Sequence, residues 1–245
     1  MNDSYTLEIE NLHSWYGSFH VLDGITFKVH AGEIMVILGT SGCGKSTLLK
    51  NVIRLYKPGR GSISLLGNEM TELEEEEIEV VLKDVGVMYQ HGALLNSITV
   101  GENVALPLEM HTTLSPEFRR EVAELKLRQV ELFNVYDRYP RELSGGMQKR
   151  AAVARAIVLD PQVLFCDEPS AGLDPVTAKG LDHMLLSLNN TLGMTIVVVT
   201  HELESIKRIA HRITYLHKGK VLFTGKIGEA LDSDIPQIRE FFLKD

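Results

Sequence analysis

The chain has 245 residues, is 44% hydrophobic and carries a formal net charge of −8. That apolar fraction suffices for one large domain or two small ones, and the acidic balance argues against a nucleic-acid partner, which would call for a basic stripe. The two cysteines, Cys43 and Cys166, suit a reducing compartment without disulfides.

The first eight residues lack the positive and apolar regions of a signal peptide. No run approaches the ~20 apolar residues of a membrane span. The expectation is a soluble chain whose membrane role, if any, comes through a partner. Residues 6–9 alternate as a strand, and 21–29 read as a second, closed by a turn at Ala31-Gly32-Glu33. Residues 34–38 are continuously apolar, as in a parallel strand covered on both faces. Residues 62–66 form a short strand stopped by Gly67. Thr71 and Glu74 have capping-box spacing and predict a helix start. The acidic run 74–77 suits the helix dipole there, or a basic partner.

Residues 85–89 predict another strand. Ser115-Pro116 caps a helix with Phe118, Val122, Leu125, Gln129 and Leu132 at helical spacing. A second helix spans 143–159. Then follow a buried strand at 163–166, a helix near 176–192 and a strand at 195–199. A last strand pair, 213–216 and 221–223, turns at Lys218-Gly219-Lys220. The alternation predicts a parallel α/β core. The mainly helical stretch 91–155 reads as an insertion, giving one domain with two lobes: a core of 1–90 and 156–245, and a helical lobe of 91–155.

Three stretches carry chemistry. Residues 39–46, GTSGCGKS, follow an apolar strand and precede a helix start. That context makes them a phosphate loop: glycines allow the backbone to curl onto an anion and the helix presents its positive end. Gly39, Ser41, Gly42, Cys43, Gly44, Lys45, Ser46 and Thr47 are the nucleotide-binding candidates, with Lys45 reaching the β- and γ-phosphates and Ser46 ligating Mg²⁺. Cys43 is either an inert small residue or a thiol activated by the helix terminus. Residues 163–168 end in Asp167 and Glu168, where Asp167 is the Mg²⁺ candidate and Glu168 the general base for an attacking water. Leu143-Ser144-Gly145-Gly146-Met147 places a capping serine and two glycines at a second helix start, a second anion site.

These stretches resemble the ATPases of ABC transporters, and the resemblance covers the chain from about residue 6 to its end. It implies a P-loop NTPase fold, α/β with a RecA-like parallel core, an antiparallel β part and an inserted helical lobe. It implies ATP and Mg²⁺ as cofactors. In that family the motif around Ser144, Gly145 and Gly146 closes on the γ-phosphate held by a second subunit. Tyr16 resembles the aromatic that stacks on adenine, though a core-facing strand aromatic is an alternative and Trp15 competes for the role. Gln90 resembles the glutamine that senses Mg²⁺ and water and couples to the membrane partner. Residues 170–174 resemble the loop that crosses the dimer interface, and His201 the switch histidine on the γ-phosphate. The other eight histidines receive no role.

Residues 90–108, Met147 and the segment 234–242 further resemble the ATPases of Mla/Mce-associated lipid transporters. His91 and Leu95 stand where those usually have Ser and Phe. This resemblance implies phospholipid transport, a location at the cytoplasmic face of the inner membrane, an identical second subunit, an integral permease, an Mce-type lipid-binding protein and a STAS-domain partner. A polar amino-acid importer ATPase is the alternative. A DNA-repair or translation ATPase of this family would need a second nucleotide domain or a coiled-coil insertion, and a non-catalytic regulator would have lost Lys45, Glu168 or His201.

Overall fold

A computed structural model describes residues 4–90 and 92–243; His91 lies outside the described residues. The chain divides into two compact units, 1–82 with 195–245, and 83–194. The second unit therefore starts before and ends after the stretch 91–155.

In the first unit, β1 (Tyr5–Tyr16) and β2 (Phe19–His30) form a long antiparallel pair. With β4 (Arg60–Leu65) and β5 (Asn68–Glu69) they make a four-stranded sheet in the order β2-β1-β4-β5. β1 outlasts its alternating run 6–9 because register shifts between Ile9 and Ser14 let it continue past polar residues. β3 (Ile34–Gly39) lies parallel between β8 (Thr195–Val199) and β9 (Arg212–His217), and β10 (Lys220–Lys226) closes on β9 antiparallel. Every residue of β3 and β8 is buried, which explains their unbroken apolar runs. At the N-terminal end of β3, Glu33 is nearly buried and pairs with Arg212 at 3.2 Å. This unit also holds α1 (Lys45–Val52), α2 (Glu75–Leu82), α7 (Leu203–Ile209), α8 (Ile227–Leu231) and α9 (Pro236–Leu243).

α2 starts at Glu75, not at the box expected from Thr71. The Thr71 N–H instead donates to the Glu69 carboxylate at 3.3 Å, and its hydroxyl also bonds that carboxylate, which holds Thr71 in the turn after β5. The α9 ring of Phe241 meets the buried Tyr215 edge-on at 5.7 Å.

The second unit holds the parallel strands β6 (Val85–Met88) and β7 (Val163–Asp167), with α3 (Val100–His111), α4 (Pro116–Gln129), α5 (Gly145–Ala156) and α6 (Pro175–Leu192). α3 opens on a capping box between Thr99 and Glu102. One turn on, the buried Asn103 side chain ties Leu95 down, accepting from its N–H at 2.7 Å and donating to its carbonyl at 3.0 Å. Ser115 caps α4, with Pro116 at its first position, as the sequence suggests. The buried face of α4 differs from the expected one. Ala123, Lys126, Leu127 and the cap Val130 go inside, while Phe118 and Leu125 stay exposed. The stem of Lys126 packs like an apolar side chain and its ammonium reaches Asp160, so a lysine does the work assigned to a leucine. The class is α/β with mixed sheets and helices, a P-loop fold.

Candidate functional site

In the first unit, β3 delivers the chain into the glycine loop. A Cβ at Gly39 would sit 2.1 Å from the Leu216 carbonyl of β9, and one at Gly44 would sit 2.6 Å from Leu22. Gly44 caps α1 with φ +107 and no side-chain bond, so the first N–H groups of the helix are not taken up by a capping side chain. This is the cradle an anion needs. Lys45 Nζ folds back over it, donating to Gly39 O at 2.9 Å and Thr40 O at 3.3 Å. Ser41, Gly42 and Ser46 are exposed, whereas Thr47 is buried. Cys43 is also buried, and burial raises its thiol above the ordinary range against the opposing pull of Lys45.

His201 follows β8. The parallel register pairs Ile37 with Val199, so Gly39 and His201, each two residues further, lie at the same carboxyl edge of their strands. That edge is where open α/β sheets bind ligands. His201 is 60% exposed and 4.0 Å from Glu202, leaving its ring accessible. Tyr16 is also exposed, with its ring 4.9 Å from Tyr56, so it is not a core aromatic. Trp15 is committed elsewhere: it stacks on His20 at 4.4 Å, and a Cβ on Gly59 would press its ring at 2.3 Å.

The second unit repeats the device. β6 and β7 pair Met88 with Cys166, so Gln90 and Glu168, each two residues on, leave the same strand edge. Lys149 of α5 is buried and joins them: its Nζ donates to the Gln90 carbonyl and, at 3.4 Å, to the Glu168 carbonyl. Burial lowers the Lys149 ammonium, against the raising pull of Glu168 and Asp167. Glu168 is buried and holds φ +47, a left-handed value uncommon for a side-chain-bearing residue and frequent at functional sites. Asp167 precedes it, half-buried, at the end of β7. Arg155, also on α5, clamps the segment after Gln90, donating to Gly92 O at 2.8 Å and Ala93 O at 2.7 Å. Neither Lys149 nor Arg155 received a role from the motifs; both act on backbone carbonyls, those of Gln90, Gly92 and Ala93 about sixty residues away and that of Glu168 nineteen away, which leave no pattern to read.

Ser144 caps α5 by accepting from Met147 N at 3.4 Å. Ser144 and Gly145 are exposed and Gly146 is buried. Gln148 braces the approach, donating to the carbonyls of Pro140 and Leu143. Asp174 closes the loop 170–174 as the cap of α6, its Oδ1 accepting from Val176 N and Thr177 N. The Thr177 hydroxyl, donating to Oδ2, does most to hold this carboxyl below the ordinary range, and the backbone bonds add to it.

With this geometry in place, the comparisons with known proteins decide the family. The family model described as "ABC transporter" matches residues 22–171. The chain belongs to the ABC transporter family. Among solved structures it resembles the dimeric post-hydrolysis state of the ATP-binding cassette MJ0796 bound to ADP and Pi, with a TM-score of 0.83 and 32% identity over 90% of this chain and 98% of that one. It also resembles cbiO1 from Clostridium perfringens, part of the ABC transporter complex cbiONQ, with a TM-score of 0.85 and 28% identity over 98% of this chain and 95% of that one. The chain carries the family's ATPase cassette. The "Methionine import ATP-binding protein MetN" of Haemophilus influenzae is 38% identical over 91% of this chain, but the match spans only 64% of that relative's length. The "Probable ribonucleotide transport ATP-binding protein mkl" of Mycobacterium leprae is 37% identical over 96% of this chain and 68% of its own. No helix among the described residues is long and apolar enough to cross a membrane.

Proposed function

We propose that the chain is the ATP-hydrolysing subunit of a membrane transporter, working as a dimer at the cytoplasmic face of the inner membrane. The observation that carries this reading is the uncapped start of α1, with Lys45 over the loop and His201 at the same strand edge. Backbone N–H groups from Gly42 to Thr47 would hold the phosphates, and Tyr16 the adenine. Ser46, Gln90 and Asp167 offer the hard oxygen donors Mg²⁺ prefers. When bound, Mg²⁺ neutralises charge on the phosphate oxygens. Glu168 takes a proton from the attacking water and His201 contacts the γ-phosphate. Ser144, Gly145 and Gly146 serve the nucleotide of the second subunit.

The cargo divides between two readings. The methionine importers among the relatives favour an amino-acid cargo. The residues of 90–108, with Asn103 anchoring Leu95, and Met147 favour a lipid cargo with Mce-type and STAS-domain partners. The amino-acid reading has the better support, since one of these relatives is named for methionine import and neither is named for lipid transport. Exposed Met110, Leu114, Phe118 and Leu125 suit the permease in either case.

Two experiments test this. Mixing Lys45→Ala with Ser144→Arg chains should restore part of the activity that each lacks alone, since one site of a mixed dimer is then intact. No recovery, with mixed dimers demonstrated, counts against the shared site. Purifying a tagged chain from its native membrane should bring down an integral permease. A periplasmic amino-acid-binding partner supports the first cargo, and an Mce-type protein with bound phospholipid the second.

A further inference from the structure

Away from the glycine loop, the hairpin of β1 and β2 gathers His13, His20 and Asp23. His13 Nδ1 lies 3.2 Å from His20 Nε2 and 3.5 Å from Asp23 Oδ1. Four ligands around a tetrahedral zinc ion, at about 2.0–2.1 Å each, stand about 3.3–3.5 Å apart. One ligand atom from each of the three residues falls within 4.8 Å of the others, so a small rotation completes the set.

The surroundings fix which atoms are offered. Asn11 Oδ1 lies 3.1 Å from His13 Nε2. A carboxamide oxygen only accepts, so Nε2 carries the proton and the neutral ring presents the lone pair of Nδ1 to the cluster. That lone pair then faces both the Asp23 carboxylate oxygen and His20 Nε2, a place where either a shared cation or the His20 Nε2 proton satisfies it. The Asn11 bond is the outer-shell support that orients ligating imidazoles. Lys220 Nζ holds the other carboxylate oxygen, Asp23 Oδ2, at 3.0 Å, which leaves Oδ1 for the cluster. Trp15 covers one side of the His20 ring at 4.4 Å, with 6° between planes.

We infer that His13, His20 and Asp23 form a binding site for a divalent transition metal of the zinc class, with water in the fourth position. Two imidazoles and one carboxylate suit zinc and not magnesium, which keeps to oxygen ligands. The ligands come from both strands, and Trp15 pairs with His20 across the hairpin. The metal would staple β1 to β2 just before Tyr16, the last residue of β1, and the turn that follows it. The site stands on its own residues and does not depend on the transport reading.

The protein supplies its own probe, since Trp15 is its single tryptophan. Zinc should be titrated into chelator-stripped full-length protein, with Trp15 emission and equilibrium dialysis read together. The expected result is a saturable emission change at about one equivalent, unaffected by excess Mg²⁺. His20→Gln should remove it, and Asp23→Asn should weaken binding at least tenfold. Circular dichroism melts of both variants would establish that they fold. Cobalt substitution should give the visible bands of a nitrogen–oxygen site. Zinc binding equal in wild type and His20→Gln, no saturable binding, or a cobalt–thiolate band from Cys43 or Cys166 would each overturn the assignment.

Discussion

Two helices of the chain have glycine at their start, α1 as its cap and α5 as its first residues, and for different reasons. At α1 the cap is Gly44, in a left-handed conformation and with Leu22 where a Cβ would go. There the fold itself requires glycine, and it leaves without a capping side chain the N–H groups proposed to hold phosphate. At α5 the cap is Ser144 in ordinary extended geometry, bonded to Met147 N. Gly146 is crowded, with Thr177 Cγ2 2.3 Å from a would-be Cβ, but at Gly145 the nearest atom is Leu173 Cδ2 at 3.6 Å, an ordinary contact. Nothing among the described residues therefore demands glycine at 145. The first loop is shaped by contacts within its own chain; the second leaves Ser144 and Gly145 exposed, as the proposed use by a second subunit requires.

The strongest way to sharpen this contrast is Glu168→Gln. It leaves the α1 loop untouched and removes the proposed base. ATP should still bind, while hydrolysis falls ~10²–10⁴-fold, roughly 3–5 kcal/mol at ~1.4 kcal/mol per decade. Size-exclusion chromatography should show an ATP-bound dimer. Near-normal turnover by a clean preparation would take Glu168 out of its role.

A paired substitution tests the second helix directly. Gly145→Ala should fold normally and even gain some helix stability, up to about 1 kcal/mol, yet lose at least ~10-fold in ATP turnover at saturating ATP. Gly146→Ala should instead lose about 1–3 kcal/mol of stability from overpacking against Thr177. Urea unfolding and turnover measured on both variants separate the two. Full activity in Gly145→Ala would show that its exposed backbone is not approached by a partner.

The first glycine loop was legible in the sequence because backbone demands restrict residue type there; the second was legible by its pattern alone, since Gly145 has room for a side chain. So was β3, because burial on both faces leaves an unbroken apolar run. The inward face of α4 was not, since Lys126 hides an apolar stem behind a charged label. Lys149 and Arg155 were invisible for another reason: their acceptors are carbonyls, which every residue has. The His13–His20–Asp23 cluster depends on cross-strand register, which residue spacing along the chain does not reveal.

The smallest expected effect concerns Cys43, which lies within the loop but is not activated by it. A thiol beside a helix start and a lysine is often acidified. Here burial is the larger influence, and it raises the Cys43 thiol. Cys166, fully buried, is pushed up to about 12. Both groups ionise by losing a proton, so a raised pKa means less thiolate at neutral pH than an ordinary cysteine has. Iodoacetamide should therefore modify neither residue appreciably at pH 7, as read by peptide mass mapping. Labelling of Cys43 should rise only as pH passes the ordinary thiol range, with Cys166 lagging behind. Rapid labelling of Cys43 at pH 7 would mean that the positive end of α1 outweighs burial, and that the loop's field reaches further than its own N–H groups.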